Sequence, residues 1–177
     1  MTLRRILPRA PSTSEPRHMQ FYFINAIMWG PKIRDYLETN IIPLLPEVIM
    51  IIETKLSGAS SKKAQTWFHR RGYVVKFSAA AMGAGKGSLG GVLIAWQNHL
   101  HVDPLSLQRH TPHTNLKGGR GHDWALVLLR VRNAAYLIGQ VYLTSGQGFE
   151  QDNFTKLYQL KKCSSFYAAH LALFRRL

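Results

Sequence analysis

Three side chains stand where a folded chain could place chemistry: Asn25 after FYFI, Glu53 after VIMII, and Tyr142 closing LIGQVYL. Each follows or ends an apolar run rich in β-branched or aromatic residues, the composition of a strand. A carboxylate at the C-terminal end of an apolar strand lies where sheet proteins gather ligands, and its oxygens suit Mg²⁺. Taken singly, each residue also has a structural reading. Glu53 is then a surface carboxylate beside Lys55, Asn25 a turn former and Tyr142 a core ring with a satisfied hydroxyl. Their serial order, each at a strand end, is more informative than any one of them.

Two other stretches invite a site. GAGKGSLGG (83–91) resembles a phosphate loop, yet Gly85-Lys86 is followed by Gly87 rather than Ser or Thr, and Ala80 stands where the motif needs Gly. The run VLIAW that follows is strand-like, whereas a phosphate loop opens a helix. The glycines therefore read as a hairpin connection, with Lys86 positioned to brush a phosphate backbone. Between His99 and His122 lie five histidines with Arg109, Lys117 and Arg120. Pro112 separates His110 from His113, and no Cys or carboxylate cluster accompanies them, which argues against zinc. The segment reads equally as a solvated loop or as a basic loop that approaches nucleic acid.

Charge sets the partner class. The 177 residues carry 23 Lys plus Arg against 9 Asp plus Glu, a formal net charge of +14. Such an excess favours a polyanion, because Lys and Arg contacts to phosphates release counterions. No stretch of about 18 uncharged apolar residues marks a membrane span. The single cysteine, Cys163, excludes an internal disulfide and a cysteine-based zinc site. It fits a reducing, intracellular compartment, nucleus or cytoplasm.

These residues need elements to position them. Residues 1–18, rich in Arg, Pro and Ser, read as a disordered basic leader in preference to an organelle transit peptide; residues 19–177 form one domain. FYFI predicts a strand, KIRDYLETNIIPLL a helix closed by Pro43 and Pro46, and Val48–Ile52 a strand buried on both faces. KKAQTWFHRRG predicts a short helix stopped by Gly72. Tyr73–Phe77 and Val92–Trp96 are strands, as are WALVLLRVR and AAYLIGQVYL, which turn at Arg132-Asn133. DNFTKLYQLKKCSSFYAAHLALF is a final helix. The order predicts an α+β fold with mostly antiparallel sheets.

The stretch FINAIMWGPKIRDYLETNIIPLLPEVIMIIETKL resembles the opening of the endonuclease/exonuclease/phosphatase superfamily, which includes apurinic/apyrimidinic endonucleases and LINE-retrotransposon-type endonucleases. Glu53-Thr54-Lys55-Leu56 resembles its second motif, GYVVKFSAAAMGAGKGSLGGVLIAW its following hairpin, and LIGQVYLTSGQGFEQDNFTKLYQL its tyrosine motif. The resemblance spans roughly residues 20–162. It implies a four-layer αββα sandwich, a divalent-metal-dependent phosphodiesterase acting on nucleic acid, and DNA in preference to RNA. It implies Mg²⁺ or Mn²⁺ at Glu53, phosphate orientation by Asn25, and phosphate contact by the Tyr142 hydroxyl. Lys55, Lys86, Arg109, Lys117 and Arg120 are the candidate nucleic-acid contacts.

The departures shape the expectation. Ile27 stands where many such nucleases have an acidic or polar residue, and Ile52 replaces the Gln before the Glu. No Gly-Asp-Phe-Asn run and no Ser-Asp-His run occurs, and His170 reads as structural. The resemblance thus covers the N-terminal half of the fold, with one metal ligand, a bare inner sheet face and weak or absent activity. The alternatives are a basic nucleic-acid-binding module without catalysis and a fragment of a lipid- or inositol-phosphate phosphatase.

Overall fold

Apolar residues at alternate strand positions must divide between two faces, and each face must then be covered. A computed structural model describes residues 19–78, 80–82, 88–102, 124–131, 134–143 and 151–174. Along the chain run β1 (Phe21–Asn25), α1 (Pro31–Tyr36), β2 (Val48–Ile52), α2 (Gly58–His69) and β3 (Tyr73–Ser78). A short hairpin of β4 (Ala81–Met82) and β5 (Ser88–Leu89) leads to β6 (Val92–Gln97) and β7 (His101–Val102). Then come β8 (Trp124–Val131), β9 (Ala134–Val141) and α3 (Gln151–Phe174).

Four strands form the first sheet in the order β1-β2-β6-β3, with β1 parallel to β2 and the other pairs antiparallel. A second sheet has the order β7-β8-β9, all antiparallel. The fold is α+β. Ile49, Ile51, Leu93, Ala95 and Tyr73 turn outward, where Leu37, Ile41, Ala64 and Phe68 of the helical segments bury them. Val48, Val92, Ile94 and Trp96 turn inward and meet Ala125, Val127, Leu129 and Ile138 of the second sheet. That sheet's other face, Trp124, Leu126 and Leu128, packs against Leu160 and Cys163 of α3. Helices, sheet, sheet and helix make four layers.

Three expectations need correction. The inner face of the first sheet is not bare: β8 and β9 supply an alternating apolar face that covers it over β2 and β6. Cover thins toward the two edge strands, leaving Phe21 42 % and Phe23 60 % exposed on β1 and Val74 37 % exposed on β3. The helix expected over residues 32–45 breaks into α1, a wide turn at Leu37–Ile41 and a tight one at Ile42–Leu44. Pro43 has no N–H for the Thr39 carbonyl, and the loosened turn still buries both Leu37 and Ile41. Finally, α2 begins at Gly58 rather than Lys62, because Ser60 Oγ accepts the Ser57 N–H (2.9 Å) and closes the helix start.

The two sheets are also tied by a polar contact. Among the described residues β7 pairs with Leu129–Arg130 of β8, and Lys76 of β3 donates its ammonium to the Leu126 carbonyl (3.1 Å). Burial lowers the Lys76 amine to about 8. The Cys163 thiol, which acts on Lys76 electrostatically from α3, is raised by its own burial.

Candidate functional site

Parallel pairing of β1 with β2 sets Asn25 beside Ile52, so Asn25 and Glu53 emerge at the same sheet end. The chain around Glu53 is held on both sides by backbone. From the β1–α1 loop, Ala26 N–H donates to the Ile52 carbonyl (3.0 Å) and Trp29 N–H to the Thr54 carbonyl (2.8 Å). From the approach to β6, the Gly91 carbonyl accepts Thr54 N–H (3.1 Å) and the Gly90 carbonyl accepts Lys55 N–H (3.0 Å). These are long-range contacts between segments that no local pattern joins.

The same end carries backbone strain. Ile27, Glu53 and Lys55 have φ values of 59°, 55° and 52°, in the left-handed region. Each such residue costs about 1–2 kcal/mol, and for β-branched Ile27 the conformation is a true outlier. Glu53 is half-buried, and among the described residues nothing bonds or pairs with its carboxylate, Lys55 included. Asn25 is exposed, and its Oδ1 accepts the Ile27 N–H (3.2 Å). That bond sets the amide so that its Nδ2 donors remain for an anionic oxygen.

Gly91 explains the glycines before VLIAW. Its φ is +83°, and a Cβ there would stand 2.8 Å from Thr54 Oγ1 and 3.2 Å from both Ala80 Cβ and Ala80 N. Thr54 is itself buried, at 1 % exposure. Glycine is needed here for close approach to the segment that bears Glu53, which confirms the hairpin reading of GAGKGSLGG at its C-terminal end.

β7 leaves the far end of β6 and pairs with Leu129–Arg130, so β9 runs back toward the Glu53 end. Tyr142 lies one residue beyond β9 rather than within it. It packs on the same inter-sheet core as Ile52, with the Lys156 ammonium 6.0 Å from its ring centroid. Two positions earlier, Gln140 is 4 % exposed, and neither its Oε1 nor its Nε2 has a hydrogen-bond partner. An amide buried that way is costly. Sequence reasoning missed Gln140, Thr54 and the structural part played by Trp29; only the alternation Ile138, Gln140, Tyr142 hinted that Gln140 points inward.

Lys55 is half-buried and contributes its backbone to the site. Lys86, Arg109, Lys117 and Arg120 lie outside the described residues, as does the side chain of His170. Among the described residues no three His, Cys, Asp or Glu side chains converge as a metal-binding group, and no helix is long and apolar enough to cross a membrane. Comparison with protein-family models, with curated proteins and with solved structures finds no match to this chain.

Proposed function

We propose that the chain is a divalent-metal-dependent phosphodiesterase domain of the endonuclease/exonuclease/phosphatase type, acting on nucleic acid, with DNA favoured over RNA. The observation that carries this reading is the pairing of Asn25 and Glu53 on adjacent strand ends, with Glu53 held in a strained conformation and left uncommitted. Strain of this kind persists where surrounding structure over-determines it, as at functional sites. The donor set fits Mg²⁺ or Mn²⁺, since Mg²⁺ commonly keeps several waters and takes one or two carboxylates plus substrate phosphates. When bound, such an ion would supply Lewis-acid polarisation of a phosphoryl oxygen. Glu53 would hold it. The Asn25 Nδ2 donors orient the phosphate, and the Tyr142 hydroxyl offers a second contact to it.

Turnover is expected to be slow. The sequence holds no Gly-Asp-Phe-Asn or Ser-Asp-His run, and absence of a positioned acid or base typically costs about a hundred- to ten-thousandfold in rate. The formal net charge of +14 favours, as a second reading, a basic module that binds nucleic acid without cleaving it. Calorimetric titration with Mn²⁺ separates the two. The first reading expects binding heat for the unmodified chain that Glu53→Gln abolishes, with plasmid nicking lost in parallel. Equal heats from the two proteins would sink the metal site.

A further inference from the structure

A basic feature lies on the helical layer. Between α1 and α2 the surface forms a groove of about 680 Å³ lined by Arg34, Lys62, Lys63, Arg70 and Arg71, with Glu38 as its one carboxylate. Lys62, Thr66 and Arg70 follow one another at four-residue intervals, as do Lys63, Trp67 and Arg71, so two adjacent stripes that run from α2 into the turn at its C-terminal end face the groove. Glu38 is already committed, since Arg71 Nε donates to it. Arg71 also donates from Nη1 to the Trp67 carbonyl (2.8 Å) and lies 3.9 Å over the Trp67 ring centroid. The ring in turn abuts Trp29, at 5.5 Å between centroids. This guanidinium is fixed in place before any ligand arrives.

The other four cations have no acidic partner among the described residues, and the Arg34 Nε is buried without a hydrogen bond. Four like charges crowded into a concavity repel one another, and the fold keeps them together. A ligand with several negative charges removes that repulsion and supplies the missing acceptors. From Lys62 to Arg70 the cationic wall runs about 12 Å along the helix axis, longer than a single phosphate needs. The lining holds no exposed aliphatic side chain to enter a lipid surface, and its one indole is covered by Arg71.

We propose that this groove binds the phosphate backbone of a nucleic-acid strand, using residues separate from Asn25, Glu53 and Tyr142. Fixed Arg71 sets the register, Lys62, Lys63 and Arg70 neutralise successive phosphates, and Arg34 Nε donates to one of them. The site does not require the metal chemistry proposed above. Its test is therefore run in EDTA, with fluorescence anisotropy of a labelled twelve-nucleotide oligothymidylate over a salt series. The double variant Lys62→Glu, Lys63→Glu is compared with Lys161→Glu, Lys162→Glu on α3. All four lysines are exposed, and the two double variants change net charge equally.

The groove variant is expected to bind at least tenfold more weakly, with a salt slope shallower by about 1.4, the loss of two single-strand phosphate contacts at about 0.7 each. The α3 variant is expected to change affinity less than threefold. Equal weakening by both variants would show that net charge alone attracts the strand and would overturn the proposal. So would an unchanged groove variant, or tighter binding of a doubly phosphorylated peptide than of the oligonucleotide. Retained far-ultraviolet circular dichroism confirms that each variant is folded.

Discussion

Strand β2 has a glutamate just beyond each end, and the two ends are built differently. Before the strand, the Glu47 carboxylate accepts the Gln20 N–H (2.8 Å). Around it the buried Tyr73 hydroxyl donates to the Pro46 carbonyl (2.8 Å), and Gln97 Nε2 donates to the Leu45 and Pro46 carbonyls (2.7 and 3.2 Å). Polar side chains there are spent on holding the fold. Beyond the strand, Glu53 has no such partner among the described residues, the loops are held mainly by backbone bonds, and both Glu53 and Lys55 sit in left-handed conformations. One end is arranged for stability, with Leu45 as its one left-handed residue among those described; the other keeps the Glu53 carboxylate available at a greater cost in backbone strain.

That contrast can be tested by substitutions whose effects differ in size and sign. The largest expected effect is at Gly91. Gly91→Ala forces a left-handed conformation, worth about 1–2 kcal/mol, and crowds Thr54 and Ala80, adding about 1–3 kcal/mol. A loss of about 2–5 kcal/mol in a urea titration is expected, with little change in slope; a loss below about 1 kcal/mol would deny the close approach. At the opposite end, Tyr73→Phe removes one buried hydrogen bond and should cost about 1 kcal/mol, since Gln97 still bonds Pro46.

The next effects have the opposite sign. Ile27→Gly and Glu53→Gly relieve left-handed strain, and each should gain up to about 1 kcal/mol after the entropy of glycine is subtracted. For Glu53→Gly the gain should accompany loss of Mn²⁺ binding, a trade of function against stability. A destabilised Glu53→Gly would mean that the strand end serves the fold rather than a ligand. Glu47→Gln should lose a few tenths of a kcal/mol, whereas Glu53→Gln should leave thermal stability unchanged in the absence of metal.

Lys76 belongs to neither end and serves as a control. Its amine is lowered from the ordinary lysine value to about 8 by burial, so between pH 8 and 10.5 the unfolded chain binds more protons than the folded one. The Lys76 contribution should therefore rise through that window, by about 1 kcal/mol after solvent screening, while the Cys163 thiol, raised by burial, contributes in the opposite direction. Lys76→Met should remove the rising contribution and leave the opposing one. The rising contribution should persist in the Glu47 and Glu53 variants, because distant sites act additively.

Much of the candidate site was legible because it follows from local pattern. The apolar run Val48–Ile52 stops abruptly at Glu53, and FYFI stops at Asn25, so strand ends and polar residues coincide in the sequence itself. Gln140 was hidden for the converse reason, being a polar residue at an inward strand position that alternation assigns to an apolar one. The start of α2 was hidden because Gly58-Ala59-Ser60-Ser61 has loop composition, and only the Ser57–Ser60 bond makes it helical. The basic groove was half visible: Lys62, Lys63, Arg70 and Arg71 recur at helical spacing along α2 and the turn after it, while Arg34 and Glu38 come from α1 and the turn that follows it.

The sequence by itself determined the order of strands and helices, the α+β class, the basic surface and the kinds of side chain at the strand ends. Each of these depends on hydrophobic periodicity or composition within a dozen or so residues. Only the tertiary structure decided that Glu53 is left-handed and uncommitted, that Gly91 must lie against Thr54, and that cations of α1 and α2 converge. Those outcomes arise from contacts between segments far apart in the chain, and packing and backbone hydrogen bonding set them jointly.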